Sequence, residues 1–366
     1  MKNRELLFAL DQISGVGYKT IKHLIACEIT LENLPTLSYE QLLEIGVGSK
    51  QATSIVNTYS VKWLEEKTEQ YRRLNIGYLT PYDAAYPKQL QEIAQPPWVL
   101  YYKGNLQLLE KPLLAMVGTR MPTVYGKKVC DDLAFSLASS GFGIVSGLAR
   151  GIDTTAHRGT LRAEGSTIAV LGSAINVVYP PENASLYKEI EERGLILSEY
   201  PIGTKSLPGL FPMRNRIIAG LSVGVVVVEA AERSGSLITA DSALESSRDV
   251  FAVPGPITSP NSRGCLRLIQ QGAKLVISVD DILEDYRDVI SLSKQAEQLK
   301  HGGEEREVQL TSEEAIVYRI IIEEPRSLDA LLQLTSYKFG LLHSVLLSLL
   351  MKKKIVLLPG STYMAL

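Results

Sequence analysis

From residue 113 to residue 277 the sequence alternates short apolar runs with amphipathic segments, and no other feature narrows the possible folds as much. The apolar runs cover 113–117, 143–145, 167–170, 195–197, 223–228, 250–253 and 274–277. Helical patterns fall between them at 126–138, 154–163, 184–192, 238–247 and 266–270. Runs that are apolar at consecutive positions, rather than at every second one, fit strands buried on both faces. Strands and helices in this rhythm predict an α/β fold, a doubly wound Rossmann-like parallel sheet.

In such a sheet ligands meet the carboxyl ends of the strands. The residues expected there are Gly118-Thr119-Arg120, Ser146-Gly147 with Arg150 and Gly151, Gly172-Ser173, and Ser198-Glu199. Glu229-Ala230 running into Ser234-Gly235-Ser236, and Pro254-Gly255, complete the row. Arg214-Asn215-Arg216 adds a basic pair just before the run at 223–228. Around 144–157 a strand turns into a helix opening near Asp153, and Gly147 and Gly151 leave backbone N–H groups uncovered beside a positive helix end. That is a cradle for an anion, and Arg150 within it suits phosphate. Taken alone, the loop is equally a tight turn with a solvated arginine. Several such loops along one crest suit a repeating phosphate backbone better than a single small anion.

Composition bounds the partners. Lys and Arg number 38 against 40 Asp and Glu, a formal charge of -2, so no global basic field draws the chain to nucleic acid and any polyanion site is local. Three cysteines at wide spacing (Cys27, Cys130, Cys265) argue against a disulfide framework or a zinc site and fit buried thiols in a reducing compartment. No metal or cofactor is expected. With no cleavable signal pattern and no apolar run long enough for a bilayer, the expectation is a cytoplasmic protein without a membrane partner.

The flanks read as smaller domains. Within 1–66, Ile13-Ser-Gly-Val-Gly17 and Glu44-Ile-Gly-Val-Gly48 repeat, each followed at the same offset by a lysine. This is the pattern of a tandem helix-hairpin-helix (SAM-like) domain, with Gly15, Gly17, Lys19, Gly46, Gly48 and Lys50 as accessory DNA contacts. The glycines serve equally as a packing device between helices. Residues 67–110 bridge to the main domain through strand candidates at 76–80 and 98–102, with a turn at 103–105, and the core domain runs over 67–285. A polar linker is expected at 286–306. A winged-helix-like domain over 307–366 opens with a capping box at Thr311 and Glu314. Its third helix is mostly leucine, which favours a protein-interaction or packing role over reading duplex DNA.

These motifs together resemble the DNA-processing protein A (DprA/Smf) family. The resemblance is carried by Val117-Gly-Thr-Arg120 with Tyr125-Gly126, and by Ser146-Gly-Leu-Ala-Arg-Gly-Ile-Asp153 with His157. Tyr179-Pro180 with Asn183, Phe211-Pro-Met-Arg-Asn-Arg216, and Glu229 with Ser234-Gly-Ser-Leu237 extend it, as do Ala252-Val-Pro-Gly255 and the bridge motif Pro97 to Gly104. It implies a Rossmann-like core that binds single-stranded DNA without catalysis, protects it, dimerises, and loads the recombinase RecA during natural transformation. It also implies that Arg120 and the loop from Ser146 to Gly151 line the DNA pocket. Members often carry a basic residue after the Tyr-Pro pair, where this chain has Pro181-Glu182.

The competing class is a phosphoribohydrolase-like nucleotide-binding enzyme on the same kind of sheet. Such enzymes carry a Gly-Gly-x-Gly-Thr-x-x-Glu loop, and the corresponding stretch from Ser234 to Ala240 has no glutamate at that spacing. Glu199 and Glu229 sit at strand ends as conceivable acid and base, with holding arginines or capping loops as the preferred role. No catalytic residue is assigned. His157 follows Asp153 by one helical turn, which suggests a structural pair.

Overall fold

The computed structural model describes residues 2–288, 310–352, 354–358 and 362–365. The chain divides into two compact units, Met1–Lys294 and Gln295–Leu366. The first carries a nine-stranded sheet among its described residues, formed by β1 (Gly77–Leu79), β2 (Leu100–Gly104), β3 (Leu113–Val117), β4 (Gly143–Ser146), β5 (Thr167–Leu171), β6 (Leu195–Ser198), β7 (Gly224–Val227), β8 (Asp249–Ala252) and β9 (Lys274–Leu275). Their order is β1-β2-β6-β5-β4-β3-β7-β8-β9. The strands from β3 to β9 are parallel, and β1 and β2 extend the β6 edge as an antiparallel ribbon.

Side chains of each central strand alternate between two buried layers, which is why the runs read as continuously apolar. Leu113, Ala115 and Val117 enter one core with Val225, Val227, Val250 and Ala252. Leu114 and Met116 enter the other with Val226, Val228, Phe251 and Val253. The sheet is doubly wound, as its sequence rhythm predicts.

Five helices precede it: α1 (Lys2–Asp11), α2 (Tyr18–Ala26), α3 (Tyr39–Glu44), α4 (Ser49–Thr58) and α5 (Val61–Arg73). The two glycine hairpins turn at Gly15 and Gly46, both at positive φ, and Gln51 from the second hairpin's helix donates to the Gly15 carbonyl (3.3 Å). Residues 1–66, read from sequence as a domain of their own, share a core with the sheet. Phe8, Leu24 and Ile55 belong to the same buried cluster as Tyr101, Ala169 and Ile196. The bridge aromatics are packing residues: Trp98 stacks on Tyr18 and donates Nε1 to its carbonyl. The expected turn at 103–105 starts later, because Lys103 and Gly104 still pair with Ile196 and Leu195.

The α-helices that follow β1 among the described residues of this unit are α6 (Lys88–Gln91), α7 (Val124–Ser139), α8 (Ile152–Arg162), α9 (Ala184–Arg193), α10 (Leu210–Leu221), α11 (Gly235–Glu245), α12 (Arg263–Gln270) and α13 (Asp280–Leu283), of which α7 to α12 cross between parallel strands. α10 goes unrecognised from sequence, because Gly209, Pro212 and Gly220 look like breakers. Pro212 falls in the first helical turn, where its missing N–H has no helical partner to lose. No helix among the described residues is long and apolar enough to cross a membrane.

The expected linker at 286–306 lies largely outside the described residues. In the second unit, Ser312–Glu323, Leu328–Thr335 and Phe339–Met351 are helices, and Arg326–Ser327, Thr362–Ala365 and Ile355–Leu358 form an antiparallel sheet in that order. The Thr311 and Glu314 capping box is formed, and Glu314 also accepts from Ser348 (2.6 Å) and Lys352 (2.5 Å).

His157 does not pair with Asp153. Its Nδ1 lies 2.7 Å from Thr167 Oγ1, its Nε2 has no partner among the described residues, and the ring is fully buried between α8 and β5. Burial, helped by the charge of Arg214, pushes its pKa down to about 3. The unfolded chain takes up a proton near pH 6.5 while the folded one refuses it, so stability is lost as pH falls from about 6.5 toward 3. His157→Gln is expected to flatten this acid dependence. Urea midpoints at pH 7.5 and pH 5 should fall closer together in the variant than in the parent, and equal spacing would count against it.

Candidate nucleic-acid interface

The strand order reverses at β3, which has β4 on one side and β7 on the other. Loops leaving such neighbours part company and open a crevice above their carboxyl ends. A cleft of about 380 Å³ lies there, lined by Gly118, Thr119 and Arg120 from the loop after β3 and by Arg233, Ser234 and Gly235 from the start of α11. Its walls are tied across the crest. Thr119 N donates to the Glu229 carbonyl (2.7 Å), and Ile152 N donates to the Thr119 carbonyl (3.2 Å). Ser234 caps α11, accepting from Ser236 N at 3.3 Å, with the two hydroxyls 2.7 Å apart. The positive end of an eleven-residue helix therefore opens on the cleft.

Beneath the walls lies a buried charge cluster. Asp153 accepts from the N–H groups of Gly147 (3.1 Å) and Ala149 (3.4 Å). The anion cradle expected at Gly147 is thus filled from within the chain, by the carboxylate that opens α8. Arg214, expected as half of a basic pair suited to phosphate, is buried on α10 and donates Nη1 to the carbonyls of Gly147 (2.8 Å) and Val170. Burial pushes Arg214 down to about 10, opposed by Asp153, so the guanidinium stays charged at neutral pH. The same burial raises Asp153, and Arg214 opposes that rise. A Cβ at Gly147 would fall 2.4 Å from the Arg214 guanidinium, and Gly151 holds φ +79° hard against the Thr119 carbonyl. Both glycines are demanded by close approach.

Other expected contacts also turn inward. Ser146 donates its hydroxyl to the Met116 carbonyl (2.6 Å) and is fully buried. Asn215 donates to the Gly235 carbonyl (3.2 Å), steadying the start of α11. Arg216 pairs with Glu199 in a half-buried site. Glu229 accepts from the backbone N (2.8 Å) and hydroxyl (2.6 Å) of Thr123, the N-cap of α7. Both strand-end glutamates are therefore engaged with internal donors.

What faces outward is a shorter set. Arg120 is exposed and makes no ion pair or hydrogen bond among the described residues; its guanidinium lies over the Phe211 ring at 5.6 Å. Phe211 and the half-exposed Tyr179 have ring centroids 5.4 Å apart. Arg233 lines the same cleft and is exposed, also without a partner among the described residues. Arg150 stands on the rim and pairs with Glu182. Sequence reasoning passes over Arg233, whose signal is its place directly before the α11 cap, and gives no role to Phe211 or Tyr179. The hairpin residues Gly15, Gly17, Lys19, Gly46, Gly48 and Lys50 do not line this cleft; Lys19 and Lys50 are exposed at the first turns of α2 and α4.

Comparison with known proteins decides the family. The model for DNA recombination-mediator protein A matches residues 77–287, more than half of the chain. This chain belongs to that family. Protein Smf of Synechocystis sp. is 42% identical over 305 residues, 81% of this chain and 77% of that protein. DNA processing protein DprA of Streptococcus pneumoniae is 50% identical over 204 residues, 56% of this chain and 72% of that one. The X-ray structure of the Streptococcus pneumoniae protein superposes with a TM-score of 0.68 at 39% identity, covering 78% of this chain and 98% of its own. A second structure, described as showing the single-stranded DNA binding mode of the Helicobacter pylori protein, matches with TM-score 0.53 and 32% identity over 58% of this chain and 96% of that one.

The division between inner and outer arginines is testable in this family member by stability alone. Arg214→Ala strips two carbonyls and leaves Asp153 buried without its cation. It is expected to cost about 3–5 kcal/mol in urea unfolding, the scale of a broken buried pair. Arg120→Ala should stay within about 0.5 kcal/mol of the parent, as exposed positions do. Similar losses for the two would contradict the placement.

Proposed function

We propose that the cleft above β3 and β7 binds single-stranded DNA, and that the protein acts as a non-enzymatic mediator in natural transformation. The observation that carries this is the pair of uncommitted guanidiniums, Arg120 and Arg233, lining one cleft at a helix start, beside the half-buried ring of Phe211 and the exposed ring of Tyr179. Cations that match phosphate next to rings that accept an unpaired base are what a single strand requires. Gly118, Thr119 and the Ser234-Gly235-Ser236 cap complete the track. Ser146, Gly147, Gly151, Arg214, Asn215 and Arg216 act beneath it as its scaffold. Lys19 and Lys50, on helices whose glycine caps offer no side chain, are accessory backbone contacts. The single-strand binding named for the Helicobacter pylori protein supports the same assignment.

Membership of the family supports the mediator role we propose, with a homodimer that hands the strand to RecA in the cytoplasm. The engagement of Glu199 and Glu229 with internal donors supports a binder over a phosphoribohydrolase.

Fluorescence-anisotropy titration of a labelled oligothymidylate tests the assignment. Arg120→Ala and Arg233→Ala are each expected to cost about 1–3 kcal/mol of binding and to lower the salt slope by ~0.7. Phe211→Ala should cost about 1–3 kcal/mol with the slope unchanged, as lost stacking does. Duplex bound as tightly as single strand, with none of these variants affected, would overturn the proposal.

A further inference from the structure

Arg150 and Arg120 border the same small hollow on the rim, together with Tyr179, Pro180 and Phe211. Arg120 is uncommitted there, whereas Arg150 donates Nε to Glu182 Oε1. Their side chains are 57% and 50% exposed, so water reaches the pair and it adds little to stability. The neighbouring residue anchors this turn instead. Asn183 is buried and donates to the Leu148 carbonyl (2.9 Å) and to Thr154 Oγ1 (2.9 Å), tying the turn at Pro181–Asn183 to the loop after β4. Glu182 is therefore dispensable to the fold, although it neutralises a cation at the edge of the cleft.

We propose that Glu182 competes from within the chain for the position of a DNA phosphate at Arg150, closing that end of the track and weakening its hold on a single strand. The claim rests on the reading of the cleft as a single-strand site and adds to it the residue that sets its affinity and extent. Arg150 spends its Nε edge on Glu182, and its Nη atoms have no acceptor among the described residues. A phosphate can approach those atoms only within a few ångströms of the carboxylate, and like charges so close repel. The ion pair also holds Glu182 below the usual carboxylate range, so it stays charged at neutral pH. A guanidinium already matched by a carboxylate contributes one phosphate contact fewer to the salt dependence.

A double-mutant cycle tests this, using the full chain and a labelled oligothymidylate. Glu182→Gln is expected to bind about fivefold more tightly, with the salt slope steeper by ~0.7 and the melting temperature unchanged. The gain should vanish when Arg150→Ala is added, since no cation is then left to free. Unchanged or weaker binding by Glu182→Gln overturns the proposal, as does a gain that persists without Arg150. Arg120→Ala run alongside separates the two claims. If it weakens binding while Glu182→Gln does nothing, only the competitor falls; if neither the parent nor any variant binds the oligonucleotide, the site reading falls first.

Discussion

A charged side chain buried under a glycine turn governs the rest of this molecule. Arg214 reaches from α10 to two carbonyls, one on the loop after β4 and one at the end of β5. Isolated there, a guanidinium would be costly; the nearby Asp153 carboxylate offsets part of that cost. Asp153 in turn gathers the N–H groups that the turn would otherwise leave bare. The three partners fix the path from β4 into α8, and with it the height of the crest on which Thr119 and Arg120 rest. The glycine at 147 is the geometric condition for this, since any Cβ there would displace the guanidinium.

With that cluster closed, the arginines sort by depth. Arg216 pairs with Glu199 and Arg214 is buried near the Asp153 charge inside the crest, while Arg120 and Arg233 are exposed beyond it and make no ion pair among the described residues. Sheet topology causes the separation. β3 is flanked by strands whose following loops diverge, and α10 passes close enough beneath them to bring its own charges inward. The outer pair can stay uncompensated because the inner pair has taken over the structural role.

Much of the frame was legible. Consecutive apolar residues mark the strands because burial on two faces leaves no polar alternation, and the loops at their ends follow from the sheet. Residue type was legible at the crest, but its use was not. Arg120, Arg214 and Arg216 look alike as letters. Which one is spent depends on where Glu199 and Asp153 lie in space, 17 and 61 positions away from their partners' place in the chain. α10 is hidden in the sequence because Pro212 breaks a helix interior but not its first turn, and without α10 nothing signals that Arg214 points inward. His157 went to Thr167 rather than Asp153 because Asp153 was already engaged by the turn.

The overall charge of -2 bears on why the cleft, in the proposed role, would distinguish strands rather than merely attract them. With no long-range positive field, attraction is felt only within a Debye length of about 8 Å from the few outward cations, one of which is already paired. Guanidiniums accept the phosphates of a duplex as readily as those of a single strand, so they cannot supply the preference. The rings can. Phe211 and Tyr179 gain roughly 1–3 kcal/mol for each base that lies on them, and a duplex keeps those base faces covered by its own stack. In the proposed role, near-neutral overall charge would keep the non-discriminating term small, and two aromatic side chains would then decide which form of DNA is held.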